Sequence, residues 1–503
     1  MKYPIILLCL VLMQSALGMS TEEARHLQRR TGFHVDSKLT KKFESMTREQ
    51  AVDFLLSRTR TTPLTPQPKW IEHFEYIYDA AIRMKKGQGQ KEDIKKIKQR
   101  TEQIIAFFPN IPKPLVSKLR TAMDDEKKIR RVLNMISNRL LSKSLQAWWL
   151  EEMHKTESPL TERMTLFWHN HFATSFKKVK VLPWMYSQNL LLRRHAFGSF
   201  KDLLRDVSKD AAMLFYLDSN KNVKGAPNEN FAREVMELFT LGEGNYSEKD
   251  IKEAARAFTG WNVDRLTGDY VFRHKQHDEG NKTILGQTGK FYGDDVLNII
   301  LQNKKTAEFI TKKIWKEFVS PELNEAKINA IATTFFESGY EIKTLMREVF
   351  ISDEFYKSSG QLIKSPVDLL VGTIKEFDIE PVNYLPYAMM AGRLGMELFD
   401  PPNVKGWPGG EKWINTSTLL IRKDLMTRLF RVGEKKEKAN MMNPMQAMAS
   451  MSTLDMKAVM KDRTRSQMLE EVLVLKPVSE IEDKKKDIAW ARQIVLDPVY
   501  QLR

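Results

Sequence analysis

The stretch that most constrains the fold is residues 160–179, which read LTERMTLFWHNHFATSFKKV. Its apolar and aromatic side chains recur at spacings of three and four, which places them on one face of an α-helix. That face carries Leu160, Met164, Phe167, Trp168, His171 and Ser175. Ser158 is predicted to cap this helix, with Pro159 at its first position and Glu162 near the positive end of its dipole. We therefore expect a helix whose apolar stripe, including His171, points toward the core.

The two histidines of this helix are not expected to hold one metal ion together. His169 and His171 are separated by about 200° of rotation on a helix, so a shared metal would require the helix to break between them. Two interpretations of His171 stay open. It is either a hydrogen-bonded core histidine beside Trp168 or a metal ligand or acid/base group.

Helical patterning also dominates the rest of the chain. A Thr47-x-x-Gln50 capping box begins one helix, Ser247 caps another, and Thr416 or Ser417 caps a third. The pattern changes to short strands only at 270–272 and 283–285, as the arms of a small hairpin-like excursion. With 42% apolar and 29% charged residues, the sequence predicts a mainly α, multi-helical globular fold with a small two-stranded β excursion near 270–286.

The first eighteen residues have the pattern of a secretory signal peptide. Lys2 precedes the apolar run 5–13, and Ala16-Leu17-Gly18 forms a small-x-small cleavage site. The run is too short to span a bilayer and no later run is long enough, so we predict export to the periplasm or cell surface without a transmembrane helix in the mature chain. Cys9 is the one cysteine and lies in this segment, which excludes disulfides, thiolate catalysis and Cys-ligated zinc in the mature protein.

The sequence predicts four segments. They are the signal peptide at 1–18, an N-terminal helical segment with a linker at 19–68, a main helical domain at 69–433, and a C-terminal helical segment at 434–503 packed on the main domain. The last segment is rich in methionine and lysine. Its methionines at 441–460 could bind Cu(I) or could form an adaptable apolar face.

The net charge of +16 restricts the class of partner. The lysines are scattered and are not interleaved with aromatic residues on one face, so we predict no nucleic-acid binding. A merely solvated basic exterior is the first interpretation of this charge, and an anionic glycan, an envelope polymer or a lipid headgroup surface is the alternative as a partner.

Two motifs carry carboxylates and histidines. In NENFAREVMELFTLGEG, at 228–244, Glu234 and Glu237 are three residues apart and could share a proton or hold a metal, whereas the neighbouring Glu229 and Arg233 form a surface ion-pair ladder. In the loop 274–280, His274, His277 and Asp278 could converge on a metal that takes a further ligand from His171 or Glu234. Alternatively, Asp278 caps a turn and the loop histidines are exposed.

A third motif, FDPPNVKGWPGG at 399–410, is followed by Trp413. Trp407 and Trp413 lie near Asp400, Asn403 and Lys405 in sequence, and an aromatic face with hydrogen-bonding neighbours suits a sugar. The alternative is a loop that its own tryptophans hold in place.

Together these motifs resemble the bacterial family catalogued as domain of unknown function 1800, nearly end to end. The matching residues are His26-Leu27-x-x-Arg30-x-Gly32-Phe33, the run 167–175, Arg194-His195 with Gly198 and Phe200, the runs 228–234 and 241–242, the run 258–261, His277-Asp278 with Gly280 and Lys282, and the run 399–410. His34 departs from the family pattern, which tends to continue with a second glycine. The resemblance implies an exported, mostly helical protein and supplies no substrate, cofactor or catalytic residue.

We expect the polar residues of these motifs to line one pocket. The predicted catalytic residues are His171, Glu234, His277, Asp278 and Asp400. The predicted substrate-binding residues are Arg194, His195, Asn403, Lys405, Trp407 and Trp413. A divalent metal, held by His171, His277 and Glu234, could assist general acid/base hydrolysis of an extracytoplasmic polymer. The rival hypothesis is a non-enzymatic binding or assembly module of the cell envelope.

Overall fold

A computed structural model describes residues 18–85, 88, 91–108, 113–123, 140–430 and 452–503. The helices before the central stretch are α1 (Thr21–Thr31), α2 (Ser37–Glu44), α3 (Arg48–Ser57), α4 (Trp70–Lys85), α5 (Lys91–Ala106), α6 (Lys113–Met123) and α7 (Ser142–Lys155). The central helices are α8 (Pro159–His171), α9 (Phe176–Val179), α10 (Leu182–Arg194), α11 (Phe200–Ser208), α12 (Ala211–Tyr216), α13 (Asn230–Glu234) and α14 (Glu248–Ala257). A π-helical segment, Val235–Thr240, continues directly from α13.

The remaining helices follow a short β region. They are α15 (Gly293–Leu301), α16 (Lys304–Phe318), α17 (Glu325–Glu337), α18 (Ile342–Phe350), α19 (Asp353–Lys357), α20 (Pro366–Glu376), α21 (Leu385–Arg393), α22 (Thr416–Leu429), α23 (Met456–Val459), α24 (Arg465–Val472) and α25 (Asp487–Leu496). Short 3₁₀ turns lie at Ser219–Lys221, His274–Gln276, Gly410–Trp413 and Pro498–Gln501. The predicted mainly α fold is confirmed.

Six short strands pair in antiparallel couples. They are β1 (Trp261–Val263) with β2 (Tyr270–Phe272), β3 (Lys282–Ile284) with β4 (Gln287–Gly289), and β5 (Glu380–Pro381) with β6 (Ser452–Thr453). The two predicted strands are therefore present, but they do not pair with each other. Strand β3 turns back at once because Leu285 and Gly286 both adopt positive φ, at 47° and 81°, as a tight two-residue hairpin turn requires.

Helix α8 is buried on nearly every side rather than on one face. Only Leu166 and Asn170 are partly exposed between its second residue and its end. Its polar groups are paired internally: both oxygens of Glu162 accept hydrogen bonds from Arg193, at 2.6 and 2.8 Å. The predicted helix and its buried face are confirmed, and burial of the other faces is tolerable because partners such as Arg193 on α10 pair their polar groups.

The helix caps agree with the sequence in part. The Thr47 and Ser247 caps are confirmed, each as a capping box. Ser158 stands at the N-cap of α8, but its hydroxyl pairs with Thr161 Oγ1 at 2.7 Å and caps no backbone N–H. The cap of α22 is Asn415, one residue before the predicted Thr416.

The two ends of the described chain meet. Arg25 of α1 forms a 2.9 Å ion pair with Glu470 of α24, and Arg29 donates to backbone carbonyls of residues 470, 471 and 473. The domain boundaries proposed from sequence stay a prediction. The predicted signal peptide, apart from Gly18, and the methionines at 441–451 lie outside the described residues.

Candidate carboxylate site where the motif segments meet

The end of α8 contacts the loop that carries the third motif. His169 Nε2 accepts the backbone N–H of Phe399 at 3.2 Å, and Asn170 Oδ1 accepts that of Trp407 at 2.7 Å. Phe176 in turn donates its N–H to the Phe399 carbonyl at 3.0 Å. Side chains of the segment 167–175 thus accept hydrogen bonds from the backbone of the segment 399–410. More than two hundred residues separate the two segments.

The loop can approach α8 this closely because of one glycine. Gly406 has a φ of 81°, and a Cβ placed there would lie 2.2 Å from Asn170 Oδ1. Any other residue would meet both a strained backbone and a clash.

Asp400 is held by the segment that follows α8. Ser175 donates its hydroxyl hydrogen bond to Asp400 Oδ1, and Lys177 forms an ion pair with the other oxygen. The Asp400 side chain is 8% exposed, whereas that of Lys177 is 63% exposed. Asp400 therefore lies just beneath the surface with a lysine above it.

Glu234 lies at the junction of α13 with the π-helical segment. Burial and the nearby charge of Glu237 raise its pKa above the usual value, against the opposing charges of Lys405 and Arg233. Lys405 is exposed and Glu234 is partly buried. A π-helical turn inside a helix is itself frequent at functional sites.

The charges of both carboxylates act on Tyr216 of α12. Burial raises the pKa of its hydroxyl, and the charges of Asp400 and Glu234 raise it further. One partly buried phenol thus lies within electrostatic range of both carboxylates. Tyr216, Glu234, Asp400 and Lys405 are called the carboxylate site below.

His171 does not belong to this site. Its Nε2 donates to the Phe239 carbonyl at 3.0 Å, and its Nδ1 accepts from Lys313 Nζ at 3.0 Å. Burial, then the charge of Lys313, hold the pKa of His171 well below its usual value, so the ring is neutral. Both ring nitrogens are occupied, and the side chain is 3% exposed.

His277 and Asp278 are also held elsewhere. His277 is 3% exposed, stacks on Tyr292 with ring centroids 4.3 Å apart, and contacts the Thr259 carbonyl through Nδ1 at 2.9 Å. Asp278 receives two hydrogen bonds from Arg256, at 2.8 and 3.1 Å, which lower the pKa of its carboxyl to about 2. The predicted exposure of His277 was wrong, because the aromatic stack and the Thr259 carbonyl bury it.

The predicted metal ligands are not brought together. Within the described ranges, no group of three or more His, Cys, Asp or Glu side chains is placed to hold a metal ion. His171, His277 and Glu234 each contact different neighbours, so the predicted set of three metal ligands is wrong. Its physical reason is that the two histidines satisfy backbone carbonyls in separate parts of the core.

The predicted substrate-binding residues divide into exposed and buried groups. Asn403, Lys405 and Arg194 are exposed. Trp407 and Trp413 are 4% and 7% exposed, which leaves no ring face open to a sugar and supports the alternative of a loop held by its tryptophans. His195 pairs with Asp206 at 2.8 Å.

Sequence reasoning missed four residues that the geometry adds. Ser175 ends the motif run 167–175 and Lys177 follows it by two residues, so proximity in sequence was the available signal. Tyr216 lies in no motif and has no such signal. Lys313 is identified only by its contact with His171. Burial lowers the pKa of the Lys313 amine to about 8.

The fold and the carboxylate site define a multi-helical protein whose sequence motifs meet through backbone contacts at a surface site. Within this class, the chain belongs to the family described as Protein of unknown function (DUF1800), whose model matches residues 26–502. The resemblance drawn from the motifs is thereby confirmed. No curated protein and no solved structure matches the chain. Among the residues described, no helix has the length and apolar character needed to cross a membrane.

Proposed function

We propose that this protein is an exported hydrolase that cleaves an anionic extracytoplasmic polymer by general acid/base catalysis at the carboxylate site. The observation that carries the proposal is the pair Glu234 and Asp400, whose charges both act on Tyr216 while their surroundings differ. Two carboxyl groups in unlike environments are the usual arrangement for dividing acid and base roles.

Glu234 is the proposed acid. Because burial and Glu237 raise its pKa, a larger fraction of this carboxyl group stays protonated as the pH approaches neutrality. It would donate its proton to the leaving-group oxygen as the bond to that oxygen breaks.

Asp400 is the proposed base. Its carboxylate, paired with Lys177 and hydrogen-bonded by Ser175, would take a proton from the attacking water as the oxygen of that water forms the new bond. The proton gained by Asp400 and the one lost by Glu234 balance over one turnover, and no oxidant or further reactant is needed.

The substrate class follows from the cations around the site. Lys405 is exposed near Glu234, and Lys177 is 63% exposed although it is ion-paired with Asp400. An acidic group on the polymer would pair with Lys405 and contact the exposed side of Lys177. The extracytoplasmic location is part of the proposal and is supported by the signal-peptide pattern of residues 1–18.

The test uses a fluorescein-labelled anionic polysaccharide prepared from bacterial cell envelopes, with labelled neutral dextran as the substrate control. Binding is measured by fluorescence anisotropy and cleavage by the release of small labelled fragments. Wild type is expected to bind and cleave the anionic polymer, and Glu234→Gln and Asp400→Asn to bind it with cleavage reduced at least a hundredfold. Glu229→Gln, on the same helical region and ion-paired with Arg233, is the matched control and should cleave normally.

A second candidate is a non-enzymatic binding or assembly module of the envelope. The observation that favours it is that His171, His277 and Asp278, which all lie in motifs, are paired with groups of the protein itself. Their motifs then serve to hold the fold. Binding of the anionic polymer by wild type, without any release of fragments, would support this candidate against the hydrolase.

A further inference from the structure

Arg30 is a fully buried cation without a carboxylate partner in the described residues. It is 0% exposed and lies on the inner face of α1. Its Nη2 donates to the Ser358 carbonyl at 2.5 Å, while Nε and Nη1 have no hydrogen-bond partner. A buried guanidinium that leaves two N–H groups unsatisfied is strongly unfavourable, so a partner is expected.

Two further buried guanidinium groups belong to the same part of the fold. Arg163 donates to the Gly32 carbonyl, two residues after Arg30, and Arg163 and Arg503 both contact Asp368. Burial and the charges of Arg503 and Arg163 lower the pKa of Arg30 far below the usual value. Arg503 is 6% exposed, and its Nε and Nη1 atoms are likewise without a hydrogen-bond partner in the part of the chain described. Unsatisfied donors thus occur on two neighbouring cations.

The carboxylates at this position are fewer than the cations. Asp368 lies 2.8 Å from Arg163 and 3.7 Å from Arg503. Glu317 pairs with Arg503 at 2.6 Å, but its side chain is 39% exposed, at the edge of the cluster. Asp368 and Glu317 thus pair with Arg163 and Arg503, and Arg30 is the one of these three guanidinium groups without an ion pair in the described residues.

Neighbouring polar groups do not correct this imbalance. His26, one turn before Arg30 on α1, is buried, and burial with the charge of Arg30 lowers its pKa to about 3, so it is neutral. Lys364, also buried, pairs with Glu376 at 3.5 Å, which adds one cation and one anion.

We propose that a small monovalent inorganic anion of the chloride class binds at the junction of Arg30, Arg163 and Arg503 as an internal structural ligand. Its single negative charge balances the excess cation, and it accepts hydrogen bonds from the unsatisfied N–H groups of Arg30 and Arg503. The anion ties α1 to α8, α20 and the end of the chain, and it is independent of the carboxylate site.

Crystals of the wild-type protein grown in sodium bromide test the proposal directly. An anomalous difference map at the bromine edge is expected to show a peak in contact with Arg30 and Arg503. A map with bromide peaks on the surface and none at this junction would overturn the proposal. This measurement needs no variant, so a variant that fails to fold does not leave the question open.

Thermal unfolding in solution provides the second measurement. Sodium gluconate is replaced by sodium chloride at constant ionic strength, since gluconate is too large for a single-ion site. Wild type is expected to show a saturable rise in Tm with chloride, because a ligand that binds only the folded state stabilises it. Arg30→Met should shift the chloride midpoint at least tenfold or abolish the rise.

Arg422→Met is the matched control. Arg422 is equally buried, but both of its Nη atoms donate to the Lys364 carbonyl. This variant is expected to lower Tm while keeping the chloride-dependent rise. Loss of the rise in both variants, or a rise that persists in Arg30→Met, would contradict a site centred on Arg30.

Discussion

The amine of Lys313 lies 3.0 Å from Nδ1 of His171 and donates a hydrogen bond to it. Because an ammonium group is only a donor, this contact fixes the tautomer of the imidazole, with its proton on Nε2 facing the Phe239 carbonyl. The most prominent histidine of the sequence is thus a connector between α16 and the π-helical segment.

Lys313 should impose an alkaline pH dependence on stability. Burial, followed by the charge of Lys316, lowers its pKa from 10.5 to about 8 in the folded protein. Between these values the unfolded chain binds more protons than the folded one, so the free energy of unfolding should rise with pH by up to about 1.4 kcal/mol per unit. Urea unfolding at a series of pH values from 7.5 to 10.5 measures this, and Lys313→Met should remove the rise.

The exposed Lys316 is the matched control for Lys313. Lys316→Met removes a lysine from the same helix without removing the buried amine, so most of the alkaline rise should remain. An unchanged rise in Lys313→Met would show that this amine is not the group responsible.

Two charges in and beside the carboxylate site should shift the pKa of Glu234 in opposite directions. The charge of Glu237 raises the pKa of Glu234, and the charge of Lys405 lowers it. Glu237→Gln is therefore expected to lower the pKa of Glu234, and Lys405→Met to raise it, as followed by ¹³C NMR of the side-chain carboxyl. Shifts of the same sign, or none, would place Glu234 away from these two charges.

Alanine substitutions at Gly406 and Gly409 separate two contributions to the loss of stability. One is backbone strain and the other is the overlap of the loop with α8. Both have positive φ, but a Cβ at Gly409 would meet nothing within 4 Å, whereas one at Gly406 would overlap Asn170. Gly409→Ala should cost about 1–2 kcal/mol for the left-handed conformation. Gly406→Ala should cost about 1–3 kcal/mol more, because the overlap is added. Equal losses in urea unfolding would mean that the loop does not rest on Asn170.

Local structure was readable from the sequence wherever short-range rules apply. Capping boxes at Thr47 and Ser247 involve residues three apart, so their spacing was enough to predict them. Gly242, with a φ of 80°, ends its helical segment because glycine has no Cβ and adopts the left-handed conformation without a steric penalty.

Long-range partners could not be predicted in the same way. Arg193 and Arg194 are adjacent, and only the position of Glu162 on another helix decides that Arg193 is buried and Arg194 exposed. Neither interpretation of His277, as a metal ligand or as an exposed loop residue, includes its burial, because the Thr259 carbonyl and Tyr292 that bury it are distant in sequence. The Glu234 motif was found from its carboxylate spacing, yet its proximity to Tyr216 depends on tertiary packing that no motif records.

Asp278 distinguishes a structural clamp from an acid/base group. Its two hydrogen bonds from Arg256, which Glu253 also holds at 2.8 Å, close the loop that follows β2. Asp278→Asn should cost about 1 kcal/mol of stability, because the pair is partly solvated. Since the folded pKa is about 2, below the unfolded value, this contribution should be present above about pH 4 and be lost as the pH falls toward 2. Hydrogen exchange should quicken at residues 274–282, while cleavage of the labelled polymer stays within a few-fold of wild type. A hundredfold loss of cleavage with unchanged exchange would instead make Asp278 part of the chemistry.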